Sequence, residues 1–195
     1  MTIISALENI HSKGLFGDHE KKDPKSLLRL SVSKNFLIVQ IVKYKDSSIS
    51  VKDIKIDNLG LTNEVQNVSH NINTRILWNG PNNWILVSKK KEFLNEVNET
   101  LDERNFAITD LSHSRAIIEI EGNNTKEILK KGCPYNFNEL KKDNCLNSTY
   151  NGISVTIDML GESPHKVRIF TPRSFSESLY YSITDSCLEF GYKAI

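Results

Sequence analysis

Asp110-Leu-Ser-His-Ser-Arg115 gathers a carboxylate, two hydroxyls, an imidazole and a guanidinium. These are the ingredients of nucleophilic acyl transfer. That chemistry needs a base within hydrogen-bond reach of the hydroxyl and a third group to orient it. Read as an extended strand, the segment sends successive side chains to opposite faces, so Ser112 and Ser114 point away from His113. The chain also lacks the G-x-S-x-G elbow. The segment reads instead as a strand crossing at which the two serines hydrogen-bond and His113 and Arg115 hold the geometry.

The other candidates are equally bland. His11, His19, His70, His113 and His165 share no metal-ligand spacing on one helix, and His165 follows Pro164 in a turn, where a solvated ring is expected. Cys133, Cys145 and Cys187 are odd in number and include no C-x-x-C pair, which fits neither a disulfide framework nor a zinc site. They read as buried thiols. Glu119 and Glu121 share one strand face, as exposed acids rather than an acid/base couple. Gly122-Asn-Asn and Gly60-Leu match neither G-x-G-x-x-G nor the P-loop. The sequence therefore assigns no catalytic, cofactor-binding or metal-binding residue.

Composition narrows the class further. The chain has 195 residues, 25 Lys+Arg against 24 Asp+Glu, 38% hydrophobic and 25% charged residues, a globular balance suited to one large domain or two small ones. A formal charge of +1 argues against a protein that blankets nucleic acid. Tyr44, Trp78, Trp84 and Phe170 fall in strands, but no basic block frames them, so neither stacking platform nor phosphate track is expected. The excess of 19 Lys over 6 Arg, with 20 Asn, reads as compositional bias, since carboxylate and phosphate recognition favours the Arg fork. The N-terminus has no basic n-region, and the longest apolar tract, residues 36–42, is broken by Gln40 and far short of the ~18 residues of a spanning helix. The expectation is a soluble cytoplasmic chain without membrane or nucleic-acid partner.

The elements that must position these residues follow from periodicity. Ser5 and Glu8 have capping-box spacing for a short helix, and Leu7, Ile10, Leu15 and Phe16 must dock either on this chain or on another. Residues 36–44 read as a strand buried on much of both faces, residues 51–56 as a weaker one, and 58–73 as loop with a possible short helix. Residues 75–78 and 84–87 flank a turn-forming run and predict a hairpin. A helix is expected over 89–104 with Phe93, Leu94, Val97 and Leu101 on one face, its three N-terminal lysines opposing the dipole. A strand follows over 106–111. Ala116–Ile120 predicts another strand, and Asn124 can cap a helix stopped by Gly132 and Pro134. Residues 135–151 read as polar and turn-rich, anchored by Phe137 and Leu140. Ile153, Val155, Ile157 and Met159 alternate as a half-buried strand. After a turn at 161–164 comes a strand at 167–170, then a helix capped by Ser174 and Glu177 with Phe175, Leu179, Ile183 and Cys187 inward. Helices over one face of mostly antiparallel strands predict an α+β protein built of ferredoxin-like strand–helix units. It divides into an N-terminal arm over 1–25, a first half over 26–109 and a second over 110–195, with the halves open to intertwining.

Three stretches carry a resemblance beyond this. Residues 110–122, running on to Lys131-Gly-Cys-Pro134, lie between Leu77-Trp-Asn-Gly-Pro-Asn-Asn-Trp-Ile-Leu-Val87 upstream and Val167-Arg-Ile-Phe-Thr-Pro-Arg-Ser-Phe175 downstream, with Glu189-Phe-Gly191 closing the last helix. In order and spacing, over residues 75–191, they resemble the gamma subunit of heterotetrameric sarcosine oxidase. Ser5-Ala-Leu-Glu8 and Leu15-Phe-Gly17 look like its opening arm, whereas 18–74 carry the likeness poorly. Pro172 before Arg173-Ser174 and the Tyr180-Tyr181 pair depart from it. The resemblance implies a fold similar to folate-binding aminomethyltransferases, and partnership with alpha, beta and delta subunits in an enzyme that oxidises sarcosine to glycine. It puts FAD, FMN, NAD and tetrahydrofolate on larger chains and zinc on delta. No catalytic residue is carried over to this chain. The alternatives are a stand-alone folate-binding one-carbon transferase on the same fold and a free-standing adaptor.

Overall fold

The computed structural model describes residues 5–195, so residues 1–4 of the expected arm lie outside the described residues. Strands β1 (Gly14–Phe16), β2 (Leu28–Ser33) and β3 (Leu37–Lys43) open the chain, followed by β4 (Lys55–Ile56), β5 (Leu59–Gly60), β6 (Val68–His70), β7 (Thr74–Gly80) and β8 (Asn83–Ser88). Helix α1 (Leu94–Thr100) precedes β9 (Phe106–Asp110) and β10 (Arg115–Glu121). Then come α2 (Thr125–Gly132), β11 (Cys145–Tyr150), β12 (Ile153–Glu162), β13 (His165–Pro172), α3 (Ser176–Cys187) and β14 (Tyr192–Ala194). The α+β class stands as expected.

The chain forms two compact units. Of the described residues, the first comprises 5–34, 114–142 and 146–195; the second comprises 35–113 and 143–145. The expected halves ran 26–109 and 110–195; here residues 26–34 sit with the C-terminal unit because β2 is a central strand of its sheet.

In the first unit, seven strands run in the order β1-β14-β2-β10-β13-β12-β11, with β14 and β2 parallel and β10 antiparallel to both β2 and β13. Alternation along β10 explains the core: Ala116, Ile118 and Ile120 face inward with Leu28, Leu30, Ile157, Met159, Val167 and Ile169. Helices α2 and α3 close that face through Ile128, Leu129, Leu179, Tyr180, Ile183 and Cys187. Tyr150 is fully buried beneath α2, its hydroxyl 3.0 Å from the Ile128 carbonyl and 2.8 Å from the Ser186 hydroxyl. Gly132 must be glycine here, because a Cβ would sit 2.6 Å from the Tyr150 ring.

The arm docks on its own unit. Leu7 is fully buried in this core, with Ile10 and Phe16 packed against it, while Leu15 is half exposed. His11 lies 3.0 Å from the Tyr180 hydroxyl through Nδ1 and 3.0 Å from the Ile195 carbonyl through Nε2. A carbonyl only accepts, so Nε2 carries a proton and donates to it. The expected helix at residue 6 is a series of turns instead: the Ser5 N–H donates to Glu8 and the Leu7 N–H to Ser5 Oγ, but Gly14 arrives before nucleation is repaid.

In the second unit, β6-β7-β8-β3-β9 make an antiparallel sheet. Leu37, Val39, Ile41, Ile76, Trp84 and Leu86 face α1 residues and Phe106. The hairpin forms as expected, with Trp78 opposite Trp84. Other expectations change. The strand at 51–56 shrinks to β4, and the loop at 58–73 contains β5 and β6 rather than a helix. The helix expected over 89–104 is a 3-10 turn, Lys91–Phe93, and a two-turn α1, with Leu101 closing onto the Val97 carbonyl. Residues 143–145 complete this unit: Asp143 pairs with Arg75 and His70 at 3.1 Å each, and Cys145 bonds the Gln66 carbonyl.

Candidate functional site

Residues 110–115 are not one extended strand: Asp110 ends β9, Arg115 opens β10, and residues 112–114 between them form a turn. Asp110 Oδ1 accepts the Ser112 N–H at 2.8 Å, and Ser112 Oγ accepts the Ile38 N–H at 3.0 Å. The Ser114 carbonyl accepts from Arg173 N. The carboxylate and hydroxyl are thus committed to backbone groups, as an Asx turn and a strand anchor, and His113 is exposed. The segment sets the entry into β10.

The remaining candidates fall into structural roles. Glu119 is half-buried, not an exposed acid: Arg168 Nε and Nη2 both reach its Oε1 at 2.8 Å. Lys166 lies 3.0 Å from Glu121. Two carboxylates neutralised by two cations across β10 and β13 cannot share a proton as an acid/base couple. His165 is half-buried against the Asn123 carbonyl, rather than solvated, and His19 folds back on Gly17. The three thiols are buried and outside any disulfide; Cys133 Sγ donates to the Ser148 hydroxyl and Cys145 Sγ to the Trp78 carbonyl, each at 3.2 Å. Burial pushes the Cys187 thiol up to about 12, outweighing nearby Lys131, which leaves it protonated at neutral pH. Among the described residues no group of three His, Cys, Asp or Glu could hold a metal ion. No helix of the described residues is long and apolar enough to cross a membrane.

Nor do aromatic residues make a stacking face. Trp84 is fully buried with its indole N–H on the Thr62 carbonyl at 2.6 Å, and Phe170 is buried. Tyr44 is exposed but alone, as are Val65 and Ile72; three exposed apolar residues gather along one element, Phe175, Tyr181 and Leu188, at 52%, 55% and 43% from the start of α3 to the turn after it. Phe175 was expected inward; a 3-10 turn, Arg173–Phe175, moves the start of the helix one residue on, with Phe175 as its N-cap, and Tyr180 takes the buried place. The Ser174–Glu177 box is replaced by Ser176 Oγ donating to the Arg173 carbonyl at 2.8 Å. Polar Ser174, Ser178 and Asp185 around these residues hid them in the sequence.

No family model matches the chain. Over 137 residues it is 26% identical to the sarcosine oxidase subunit gamma of Corynebacterium sp. (strain U-96), a match spanning 68% of this chain and 66% of that protein, just under two thirds of it. A chain in the structure of heterotetrameric sarcosine oxidase from Corynebacterium sp. U-96, in complex with pyrrole 2-carboxylate, has the same fold: TM-score 0.81 at 19% identity, over 96% of this chain and 95% of that one. The chain resembles the sarcosine oxidase gamma subunit. The glycine cleavage system aminomethyltransferase T from Bartonella henselae shares the fold more loosely, at TM-score 0.64 and 12% identity, over 88% of this chain and 48% of that one. Both likenesses read from the sequence, to the gamma subunit and to the aminomethyltransferase fold, are thereby borne out. The stretches that carried the gamma-subunit likeness are the β7–β8 hairpin, the entry to β10, the end of α2 and the β13–α3 junction.

Proposed function

We propose that this chain is the gamma-type subunit of a heterotetrameric sarcosine oxidase, a structural member with no active site of its own. The 26% identity to a gamma subunit carries the reading. Its support from residue chemistry is that Asp110, Ser112, Glu119 and Glu121 are all spent on backbone bonds or ion pairs. Alpha, beta and delta chains are the proposed partners, in the cytoplasm. They would carry the flavins, NAD, zinc and the folate site.

Co-expression with the sarcosine-oxidase-type chains of its own source tests this. The expected result is co-purification with a flavin-bearing large chain, no flavin absorbance from this chain alone, and no sarcosine turnover by it alone. Tight tetrahydrofolate binding by the isolated chain would overturn the reading in favour of a one-carbon transferase, the alternative that the aminomethyltransferase-like fold supports.

A further inference from the structure

Arg115 opens β10 opposite Pro172 of β13, and the next residue, Arg173, donates its N–H to the Ser114 carbonyl at 2.9 Å. The register therefore fixes two guanidinium-bearing residues at neighbouring strand ends. Both line an open groove of about 770 Å³, with Ser174, Ser176, Glu177 and Ala6. Among the described residues, neither arginine side chain has a hydrogen bond or ion-pair partner, in contrast to Arg168 and Arg75, which hold carboxylates. Arg115 is half-buried, and burial alone lowers its pKa, no acidic neighbour offsetting it. A guanidinium taken partly out of water without a counter-charge costs free energy that a carboxylate returns. Glu177 is the one acid among the groove's lining residues and pairs with neither arginine. Beyond the groove, Phe175 is exposed at the start of α3, and Tyr181 and Leu188, seven residues apart, are exposed farther along it. Arginines beside exposed aromatics are the composition of an interface anchor.

We infer that the Arg115–Arg173 groove receives an aspartate or glutamate side chain of the large oxidase subunit, whose neighbouring apolar residues lie on the exposed face of α3. The inference rests on the subunit reading above. An open groove, half-walled by a helix, suits a carboxylate presented on a partner's surface better than a small solute, which needs enclosure to bury most of its area.

The test uses the full chain co-expressed with its oxidase partners, assembly being measured between about 50 and about 500 mM NaCl. The Arg115→Met/Arg173→Met double variant should weaken assembly about tenfold or more at low salt and flatten its salt dependence. The Arg115→Lys/Arg173→Lys variant should keep the salt dependence with an intermediate affinity. Circular dichroism and thermal unfolding of each isolated variant should match the unsubstituted chain. Assembly by the folded Met variant with unchanged affinity and salt slope would overturn the inference. So would a rise in Tm of the isolated chain with millimolar inorganic phosphate that the Met variant abolishes while assembly stays intact, since the groove would then serve a soluble anion. An unsubstituted chain that assembles with none of these partners would overturn the subunit reading itself, an outcome distinct from both.

Discussion

The two units solve the same problem, covering a sheet face, by different means. The first spreads seven strands under two helices and adds the arm, so its core is almost wholly aliphatic and aromatic. The second has only the short α1 over its sheet, and it fastens its loops with carboxylates. Asp57 receives Thr74 and Lys90 at 2.6 and 2.8 Å, and Asp143 receives Arg75 and His70. A unit with little helix to cover its edges holds them by charge-assisted bonds, which depend on pH and salt as apolar packing does not. The first unit also bears the exposed α3 face and the paired arginines. The first unit sets its polar clamps within regular elements rather than in loops: Arg168 of β13 holds Glu119 of β10, and the Tyr150 hydroxyl of β11 holds the Ile128 carbonyl of α2.

Core deletions test this contrast with the largest effects. Trp84→Ala should cost the second unit about 3–5 kcal/mol, because a fully buried indole and its bond to Thr62 are both lost; urea unfolding reads this directly. Leu7→Ala should cost the first unit about 2–5 kcal/mol, a core penalty from a residue near the chain's start. A loss under about 0.5 kcal/mol, the level of an ordinary surface change, would show that the arm is an appendage and that the first core closes without it.

Much of this contrast was legible in the sequence. The alternation of Ile153 to Met159, the hairpin at Trp78 and Trp84, and the buried anchors Phe137 and Leu140 all announce themselves through local pattern. Strand β11 did not, because Asn147, Ser148 and Thr149 face a sheet edge where polarity is allowed. The start of α3 departs from the pattern because Ser174 has the type and spacing of a cap, whereas the 3-10 turn Arg173–Phe175 makes Phe175 the N-cap and turns the Ser176 hydroxyl back to the Arg173 carbonyl. The Asp143 clamp joins residues 68 apart, a distance at which no periodicity speaks. Arg115 illustrates the deeper limit: its residue type was noted, but the lack of a counter-charge around it belongs to three-dimensional neighbours.

Smaller effects sharpen the comparison at the seams of the first unit. Gly191 has φ +69°, and a Cβ there would stand 2.5 Å from the Asp18 carbonyl oxygen and 3.0 Å from Leu27. Gly191→Ala should therefore cost about 1–3 kcal/mol, the range for a side chain forced into a glycine conformation. The loss should appear as faster hydrogen exchange at Asp18 and Leu28, whose N–H groups bond the Leu188 and Gly191 carbonyls. Unchanged protection there would mean that the arm and the C-terminus are not locked together.

The mildest expected effect separates the units by pH. Burial pushes the Asp57 carboxyl up, but hydrogen bonds from Lys90, Thr74 and Asn71 together outweigh it and hold the group below the usual aspartate range. A folded-state pKa below the unfolded one contributes stability that is complete above the unfolded value and is lost as pH falls through the folded one. Asp57→Asn should thus cost about 1–2 kcal/mol at neutral pH, near the lower end of the ~1.5–3 kcal/mol for hydrogen bonds to a charged group, because the amide still accepts from Thr74 and Lys90 is partly exposed. That gap from the unsubstituted chain should close on acidification, because protonation removes from Asp57 the charge that the amide never had. Urea unfolding of both chains from neutral pH down through the carboxylate range measures it. A gap independent of pH would trace the loss to packing, and the second unit would then be held together in the same way as the first.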